Sequence, residues 1–361
     1  MQFTATKSEV RRALTKVVNF VPTSSRGKQS LVHFTPKDDK VQLALSYPEV
    51  TFITDFAATE IVTGSTLSVY ARKFYDILKS TDHTVTVGEA GGRIGITSGQ
   101  TKWAERLVSY SVKDLQIPDT DESYFEPEEM VEAFKKVKYC AGLDTGRPGF
   151  FMVDVVAGKV RASDGVCYQE VRTKAKKSTF TVSNPMVDSF IKILSEWKSD
   201  VRLTTTSTHF FFSCGPDVMV LARSSSVFPN LDKIIIRHLR MNAKYSLKMR
   251  RIELETALKK AAVVSDGTFP YVELHLNTKE CLLRAKGDTG SEVVTKIEAA
   301  WSGAPRILTF DPNKLLACVK SQQPDILQFL LDKDTTNRKS PLVLDGAVSW
   351  AFVNQLKMRP R

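Results

Sequence analysis

One pattern, a strand leading into an amphipathic helix, recurs three times along this chain at intervals of about 120 residues. A second pattern of the same kind follows each of these after about 60 residues. The first set reads QFTATKSEVRRALTKVV, SYFEPEEMVEAFKKVKY and YSLKMRRIELETALKKAAVV, and the second reads LSVYARKFYDILKS, FTVSNPMVDSFIKILSEW and LTFDPNKLLACVKSQQP. Because a repeat of fixed period indicates that one structural unit was multiplied, we expect function to lie in what the assembled units enclose.

Alternating or apolar strand-like runs follow each second helix, for example TVTVGEAGGRIGITSG and VRLTTTSTHFFFSCGPDVMVLA. Turn signals at Gly91-Gly92 and Gly215-Pro216 divide these runs into hairpins. Asn184-Pro185 and Asp311-Pro312 place a cap and a first-turn proline at matching points of two second helices. The sequence therefore predicts an α+β fold of three tandem domains, 1–120, 121–242 and 243–361, each with two helices on one side and antiparallel sheets on the other.

The two helices of the first sequence repeat are predicted to be apolar on one face and basic on the other. The inward set is Val10, Leu14, Val17 and Val18 in the first helix and Phe74, Ile77 and Leu78 in the second. The outward set is Arg11, Arg12 and Lys16 in the first helix and Arg72, Lys73 and Lys79 in the second. A single basic face is typical of any solvated helix, but its recurrence in several units favours contact with an anionic partner.

Charge and cysteine content point to the partner and the compartment. The chain of 361 residues has a formal net charge of +11, which makes nucleic acid the first candidate partner. The five cysteines are far apart and form no CxxC pair, which favours a reduced, intracellular compartment. No apolar run approaches the length of a membrane span, so we expect a soluble, cytoplasmic protein that does not bind membranes.

No pattern in the chain is typical of catalysis. The glycine cluster around Gly91 lacks both GxGxxG spacing and a following helix, so a hairpin turn is the favoured interpretation. The five histidines form no HxxxH or HxE pattern. Asp164 in ASDG could be imagined as a catalytic acid, but Ser-Asp-Gly between strands is the composition of a tight turn. We predict no catalytic residue, no metal and no cofactor.

Several segments resemble one family, the bacterial sliding clamp, which is the beta subunit of the replicative DNA polymerase. The stretch YARKFYDILKS is similar to the ARKFFDI segment of the clamp's first domain. MQFTA, ASDG, VFPNLDKII and ALKKAAVVS resemble further clamp segments, and all five fall in order along the whole chain.

This resemblance implies a non-enzymatic processivity factor that encircles double-stranded DNA as a head-to-tail homodimer, with a DNA polymerase and a clamp loader as partners. Helices on the inside of such a ring attract phosphates without reading bases, which allows sliding. By resemblance, the residues facing DNA are Arg11, Arg12, Lys16, Arg26, Lys73, Lys79 and Arg147. By resemblance, Val263 and Val264 meet Trp103 of the other copy, although Trp103 could equally serve edge-strand packing. Glu105 stands where clamps often have an apolar residue.

The resemblance also implies a groove for short partner peptides between the second and third domains. Its residues would be Ser163, Gly165, Val166, Cys167, Tyr168, Pro229, Lys233 and Ile234, closed by Leu356, Met358 and Arg359 from the tail. An extended peptide with leucine or phenylalanine side chains would fit such a groove. This chain departs from the family at Val166, Cys167 and Tyr168, where clamps usually have histidine, arginine and leucine, and in its tail, KMRPR.

Two other functions stay open at this point. A basic protein that coats DNA without encircling it would show the same net charge, and a nuclease would need clustered carboxylates that the sequence does not offer at convincing spacing. Bacterial clamps are typically acidic overall, so a divergent clamp encoded by a bacteriophage or other mobile element would fit the basic charge.

Overall fold

The computed structural model describes residues 1–21, 30–47, 50–106, 118, 122–143, 146–231, 243–265, 270–332, 342–345 and 349–353. The helices in these ranges are α1 (Lys7–Val18), α2 (Ala71–Lys79), α3 (Pro127–Val137), α4 (Asn184–Glu196), α5 (Arg251–Val264) and α6 (Pro312–Lys320). A strand leads directly into each of them or stops one residue before it, which confirms the repeated pattern. No helix in the described ranges has the length and apolar character needed to cross a membrane.

The strands that form the sheets are all antiparallel to their neighbours where a pairing is described. They are β1 (Gln2–Thr6), β2 (Leu31–Lys37), β3 (Lys40–Tyr47), β4 (Val50–Ala57), β5 (Glu60–Val62), β6 (Leu67–Tyr70), β7 (Thr84–Ala90), β8 (Arg93–Ser98), β9 (Thr101–Arg106), β10 (Glu122–Phe125), β11 (Met152–Val156), β12 (Lys159–Ser163), β13 (Cys167–Arg172), β14 (Phe180–Ser183), β15 (Val201–Thr205), β16 (His209–Cys214), β17 (Asp217–Ala222), β18 (Ala243–Arg250), β19 (Val272–Leu276), β20 (Glu280–Lys286), β21 (Glu292–Trp301), β22 (Arg306–Phe310), β23 (Ile326–Asp332), β24 (Leu342–Asp345) and β25 (Ser349–Val353). The α+β class predicted from the sequence is confirmed.

The chain divides into two compact units, Met1–Glu128 with Asp188–Ser224, and Glu129–Val187 with Ser225–Arg361. The first unit contains a sheet of order β5-β1-β7-β8-β9 and a sheet of order β10-β15-β16-β17-β4-β3-β2-β6. The second contains a twelve-stranded sheet of order β14-β11-β12-β13-β25-β24-β23-β18-β21-β20-β19-β22. The division into three domains of similar length stays a prediction.

Both larger sheets are held together by pairings between strands that are far apart in the sequence. In the first unit, β4 pairs with β17, with Val50 opposite Leu221. In the second, β13 pairs with β25, with Cys167 opposite Val353. These pairings join halves of different sequence repeats into one sheet, so neither sheet is complete within a single repeat.

The core of the first unit is rich in phenylalanine. The Phe34 ring lies 5.3 Å from the Phe3 ring and 5.3 Å from the Phe74 ring, so β1, β2 and α2 meet at one cluster. All three side chains are buried, as expected for large aromatic residues that supply most of the buried apolar area. This cluster fixes α2 against the sheet.

The turn and cap signals have the predicted roles, with one exception. Gly91, Gly92 and Gly215 have positive φ angles at the β7–β8 and β16–β17 hairpins, which confirms the glycine cluster as a turn. The Asp311 side chain caps α6 by accepting hydrogen bonds from the N–H groups of Asn313 (2.8 Å) and Lys314 (3.1 Å). The other expected cap, Asn184, is the first residue of α4.

Candidate functional site

The helices α1 and α2 present the predicted basic face of the first unit. Val10, Leu14 and Val17 are buried, as the helical spacing predicts, and the Thr6 side chain caps α1 by accepting a hydrogen bond from the Glu9 N–H at 3.3 Å. Arg72 was expected to point outward, but it is half-buried and donates to the carbonyl oxygen of Val21 at 2.6 Å. The expectation for Arg72 was wrong because its long side chain reaches the backbone of Val21, in the segment that follows α1.

Most of the cations on this face are paired within the chain. Arg12 and Lys79 form ion pairs of 2.7 Å with Glu9 and Asp76, respectively, each one helical turn away. Lys73 pairs with Glu105 on β9. Arg11 is exposed, and within the part of the chain that the structure describes it forms no ion pair.

Lys16 belongs to a buried polar network and not to the exposed face. Its ammonium lies 2.5 Å from Asp217 Oδ2, and its side chain is only 14% exposed. Asp217 also accepts hydrogen bonds from Trp197 Nε1 at 2.9 Å and Thr54 Oγ1 at 2.6 Å. The charge of Lys16 is thus paired with a carboxylate on β17, far away in the sequence, and its contact with DNA stays a prediction.

In the second unit, a tight turn joins β12 to β13 at the centre of the predicted groove. Asp164 Oδ1 accepts hydrogen bonds from the N–H groups of Val166 (2.9 Å) and Cys167 (2.8 Å). Ser163 Oγ donates to the Cys167 carbonyl oxygen at 2.7 Å and accepts from the Gly165 N–H at 3.1 Å. Gly165 has a φ of +84°, which a residue with a side chain rarely adopts. The prediction that this segment is a turn is confirmed.

The turn is tied to α6 through the second carboxylate oxygen of Asp164. Lys314 Nζ lies 2.8 Å from Asp164 Oδ2 and 3.3 Å from the Tyr139 carbonyl oxygen, to which it donates. Burial alone would raise the pKa of Asp164, but the N–H groups of Cys167 and Val166 and the Lys314 ammonium hold it below its ordinary value. The ion pair therefore joins a turn and a helix that are far apart in the sequence.

Three buried thiols lie next to this ion pair. Cys140 Sγ is 3.9 Å from Cys318 Sγ, and Cys140 also interacts with the Cys167 thiol. Hydrogen bonding to Cys140 and burial raise the pKa of Cys167 well above its ordinary value. The three thiols are consequently neutral near pH 7 and pack as a small apolar cluster next to the turn.

Exposed apolar side chains lie on the turn and on the segments that contain Gly142 and Phe228. Val166 is at its tip, and Leu143 and Val227 are each 84% exposed. Leu143 follows Gly142, whose N–H donates to the Phe150 carbonyl oxygen at 2.8 Å. Large apolar side chains that are this exposed on neighbouring segments indicate an interaction site, because contiguous exposed apolar patches usually mark such sites.

Arg147 also lies beside the turn. A Cβ atom placed on Gly165 would be 3.5 Å from an Arg147 guanidinium nitrogen, and Arg147 is exposed. The resemblance had suggested a DNA contact for this residue, and that role stays a prediction. Its position at the rim of the turn was not expected.

The predicted groove residues fall into three classes. Gly165 and Val166 are exposed and Pro229 is half-buried, whereas Ser163, Cys167 and Tyr168 are buried and shape the turn from within. Lys233, Ile234, Leu356, Met358 and Arg359, like the predicted DNA contact Arg26, lie outside the described residues. Leu143 and Lys314 were missed because nothing local in the sequence indicates that their segments lie near the turn, and Val227 was missed although Pro229 of the same segment was predicted.

The predicted interface residues lie on separate elements. Trp103 is half-buried on β9, an edge strand of the five-stranded sheet. Val263 is 82% exposed and Val264 half-buried at the end of α5. Among the described residues, no group of three or more His, Cys, Asp or Glu side chains is arranged to hold a metal ion.

Comparisons with known proteins identify the fold. No protein-family model and no curated protein matches the chain in sequence. The solved structure of DNA polymerase III subunit beta from Pseudomonas aeruginosa is similar, with a TM-score of 0.86 and 15% identity over 99% of this chain and 100% of that one. The DnaN sliding clamp of Bartonella birtlesii (TM-score 0.87, 17% identity) and the beta sliding clamp of C. crescentus (0.88, 16%) match over the same shares of the chains. The chain has the fold of these bacterial sliding clamps.

Proposed function

We propose that this chain is a DNA sliding clamp: two copies close head to tail around duplex DNA and tether a replicative polymerase, with no enzymatic activity of their own. The observation that supports the proposal is the structural likeness over 99% of the chain to bacterial sliding clamps. The net charge of +11 adds the long-range attraction to phosphates that an encircling protein needs. Its place of action would be the cytoplasm.

The pattern of paired cations suits sliding. Exposed but paired residues such as Arg12, Lys73 and Lys79 offer phosphates only part of their charge, because each already has a carboxylate partner. Arg11 would add one stronger contact. Several weak, sequence-independent contacts attract DNA without fixing the ring to one register.

Ring closure would join different surfaces of the two copies. The edge strand β9, with Trp103, would meet the third repeat of the partner copy near Val263 and Val264. A contact between unlike surfaces closes into a ring when the rotation allows it, and an edge strand is a ready template for pairing. The Lys73 pair neutralises Glu105 on β9, so that carboxylate would not oppose closure.

The partner peptides of the polymerase and the clamp loader would bind at the turn around Val166. Leu143 and Val227 add apolar surface there, and Arg147 adds a cation at the rim. An extended segment with leucine or phenylalanine side chains would bury these groups, and apolar pockets with a few polar contacts are typical of peptide sites.

The test is retention on nicked circular DNA before and after linearisation, with a clamp loader present and salt varied. We expect the protein to stay on the circle and to leave the linear molecule by sliding off its ends. Equal, salt-sensitive retention on both forms, in a run where a known clamp loads successfully, would instead show the second candidate function, a basic protein that coats DNA.

A further inference from the structure

We propose that Lys314 is a positioning residue for the partner-binding turn: through Asp164 it fixes residues 163–167 in the shape that exposes Val166 and covers the thiols below. The role of Lys314 in partner binding rests on the proposed function, whereas its effect on the shape of the turn does not. Neither the predicted groove residues nor the predicted DNA contacts include Lys314.

The first argument is that one carboxylate serves both the turn and the helix. Asp164 Oδ1 holds the backbone N–H groups of Val166 and Cys167, while Oδ2 receives Lys314. A carboxylate with one oxygen fixed by the turn and the other by α6 has no freedom to rotate. Loss of Lys314 would leave a partly buried carboxylate without its counter-charge, and the turn would have to open for the carboxylate to reach water.

The second argument is burial. The side chains of Lys314 and Asp164 are 28% and 15% exposed, so the pair is partly shielded from water. Shielded pairs with additional hydrogen bonds resist separation better than exposed ones. Lys314 also donates to the Tyr139 carbonyl oxygen, which ties the segment before Leu143 to the same ammonium.

The third argument is that α6 contacts this region through two side chains that lie one helical turn apart. Lys314 meets Asp164, and Cys318, one helical turn later, meets Cys140. The neutral thiols fill the space under the ion pair, so displacement of the turn would open a path to Cys167. Thiol reactivity therefore reports on the position of the turn.

The test is site-resolved labelling of the folded, full-length protein with N-ethylmaleimide, read by mass spectrometry of peptides. All five cysteines are free, and only Cys214 is not buried. In the wild-type protein we expect Cys214 to react quickly and the other four to react slowly. In Lys314→Met we expect Cys167 to react about tenfold faster, because local opening becomes easier by the equivalent free energy.

Three comparisons distinguish local release of the turn from other causes of faster labelling. Cys281, buried on β20 in the same unit, should remain as slow in Lys314→Met as in the wild type. Lys314→Arg, which keeps the charge, should restore slow labelling of Cys167. Lys73→Met removes the corresponding lysine of the first repeat and should leave Cys167 unchanged. Unchanged labelling of Cys167 in Lys314→Met, or equal acceleration of Cys281, would overturn the proposal.

Binding of a fluorescein-labelled hexapeptide ending in leucine and phenylalanine, followed by anisotropy, tests the purpose of the turn. We expect the Kd to rise about tenfold in Lys314→Met and to recover in Lys314→Arg. An unchanged Kd would contradict the role in partner binding. Because the labelling experiment contains no DNA, its failure would leave the clamp proposal standing, and failure of retention on circular DNA would leave the labelling result standing.

Discussion

Lys73 and Lys314 occupy the same place in the repeat, the third residue of the second helix in the first and third repeats, but their surroundings differ. Lys73 is 61% exposed and pairs with Glu105 on a neighbouring edge strand. Lys314 is 28% exposed and pairs with Asp164 in a turn that α6 helps to hold. The two helices thus carry a lysine at the same position, while the strand or turn opposite each helix decides what that lysine does.

The two ion pairs differ mainly in how much of each is exposed to water. An exposed ion pair is weakened by solvent and by salt, whereas a partly buried one keeps more of its attraction and costs more to break. The same reasoning extends to Lys16, which is more buried than either and joins a larger network. The predictions below test this ordering, beginning with the largest expected effect.

Replacement of Asp217 by alanine should have the largest effect, because Lys16 would remain buried without its counter-charge. We expect a loss of about 3 to 5 kcal/mol in the unfolding free energy of the first unit, measured by chemical denaturation. Asp76→Ala, which removes the exposed partner of Lys79, is the matched control and should change stability by less than about 0.5 kcal/mol. A loss below about 1 kcal/mol for Asp217→Ala would show that burial of the pair is unimportant.

His33 tests the burial of a side chain that titrates near neutral pH. Burial lowers the pKa of His33 to about 4, so the unfolded chain binds this proton near pH 6.5 and the folded chain does not. Stability should therefore fall as pH decreases from 6.5 to 4, by about 2.5 kcal/mol at pH 4.5. His33→Gln can still bond Ser68, the 2.7 Å partner of His33, but does not titrate.

The check is a denaturation series of the wild type and of His33→Gln between pH 4.5 and 7.5. The difference between the two proteins isolates His33 from the carboxylates that titrate in the same range. If both proteins lose stability in parallel, His33 is protonated in the folded state and the interpretation is incorrect.

Double-mutant cycles compare the two equivalent lysines directly. We expect the coupling energy between Lys314→Met and Asp164→Asn to be about 1 to 2 kcal/mol, because the pair is shielded. The coupling between Lys73→Met and Glu105→Gln should be below about 0.5 kcal/mol. Equal coupling energies would mean that the repeat position, and not the surroundings, determines the strength of the pair.

The smallest expected effect concerns a single cation. If the chain binds duplex DNA as proposed, Arg11→Ala should reduce the magnitude of the slope of log K against log salt concentration by about 1, the value for one phosphate contact. Arg12→Ala should reduce it less, because Glu9 already neutralises that guanidinium. Equal reductions of the slope in the two variants would show that the ion pair between Arg12 and Glu9 opens when the protein binds DNA.

The repeats, the helix faces and the turns could be predicted from the sequence because they depend on local spacing. Val10, Leu14 and Val17 are buried at the expected positions, and Gly91 and Gly92 form the expected hairpin. These features need only the periods of helices and strands and the conformational freedom of glycine.

The partners of individual charges could not be predicted, because they lie far away in the sequence. Asp217 is 201 residues from Lys16, and no local pattern marks them as a pair. The burial of Cys167 and Tyr168 follows from the central position of β13 between β12 and β25, a pairing that the sequence does not reveal. Resemblance predicts which residues line a groove, but it does not say which of their side chains reach the surface.

The pairing of β13 with β25 also constrains the order of events during synthesis. Cys167 has no partner on this side until Val353 has been synthesised, so the sheet behind the turn around Val166 stays open while all the intervening residues are made. Until then one edge of β13 is unpaired, which makes it a site where nascent chains could associate wrongly. A chain interrupted before β25 would keep that open edge, so the stretch between the two strands sets how long the edge is exposed.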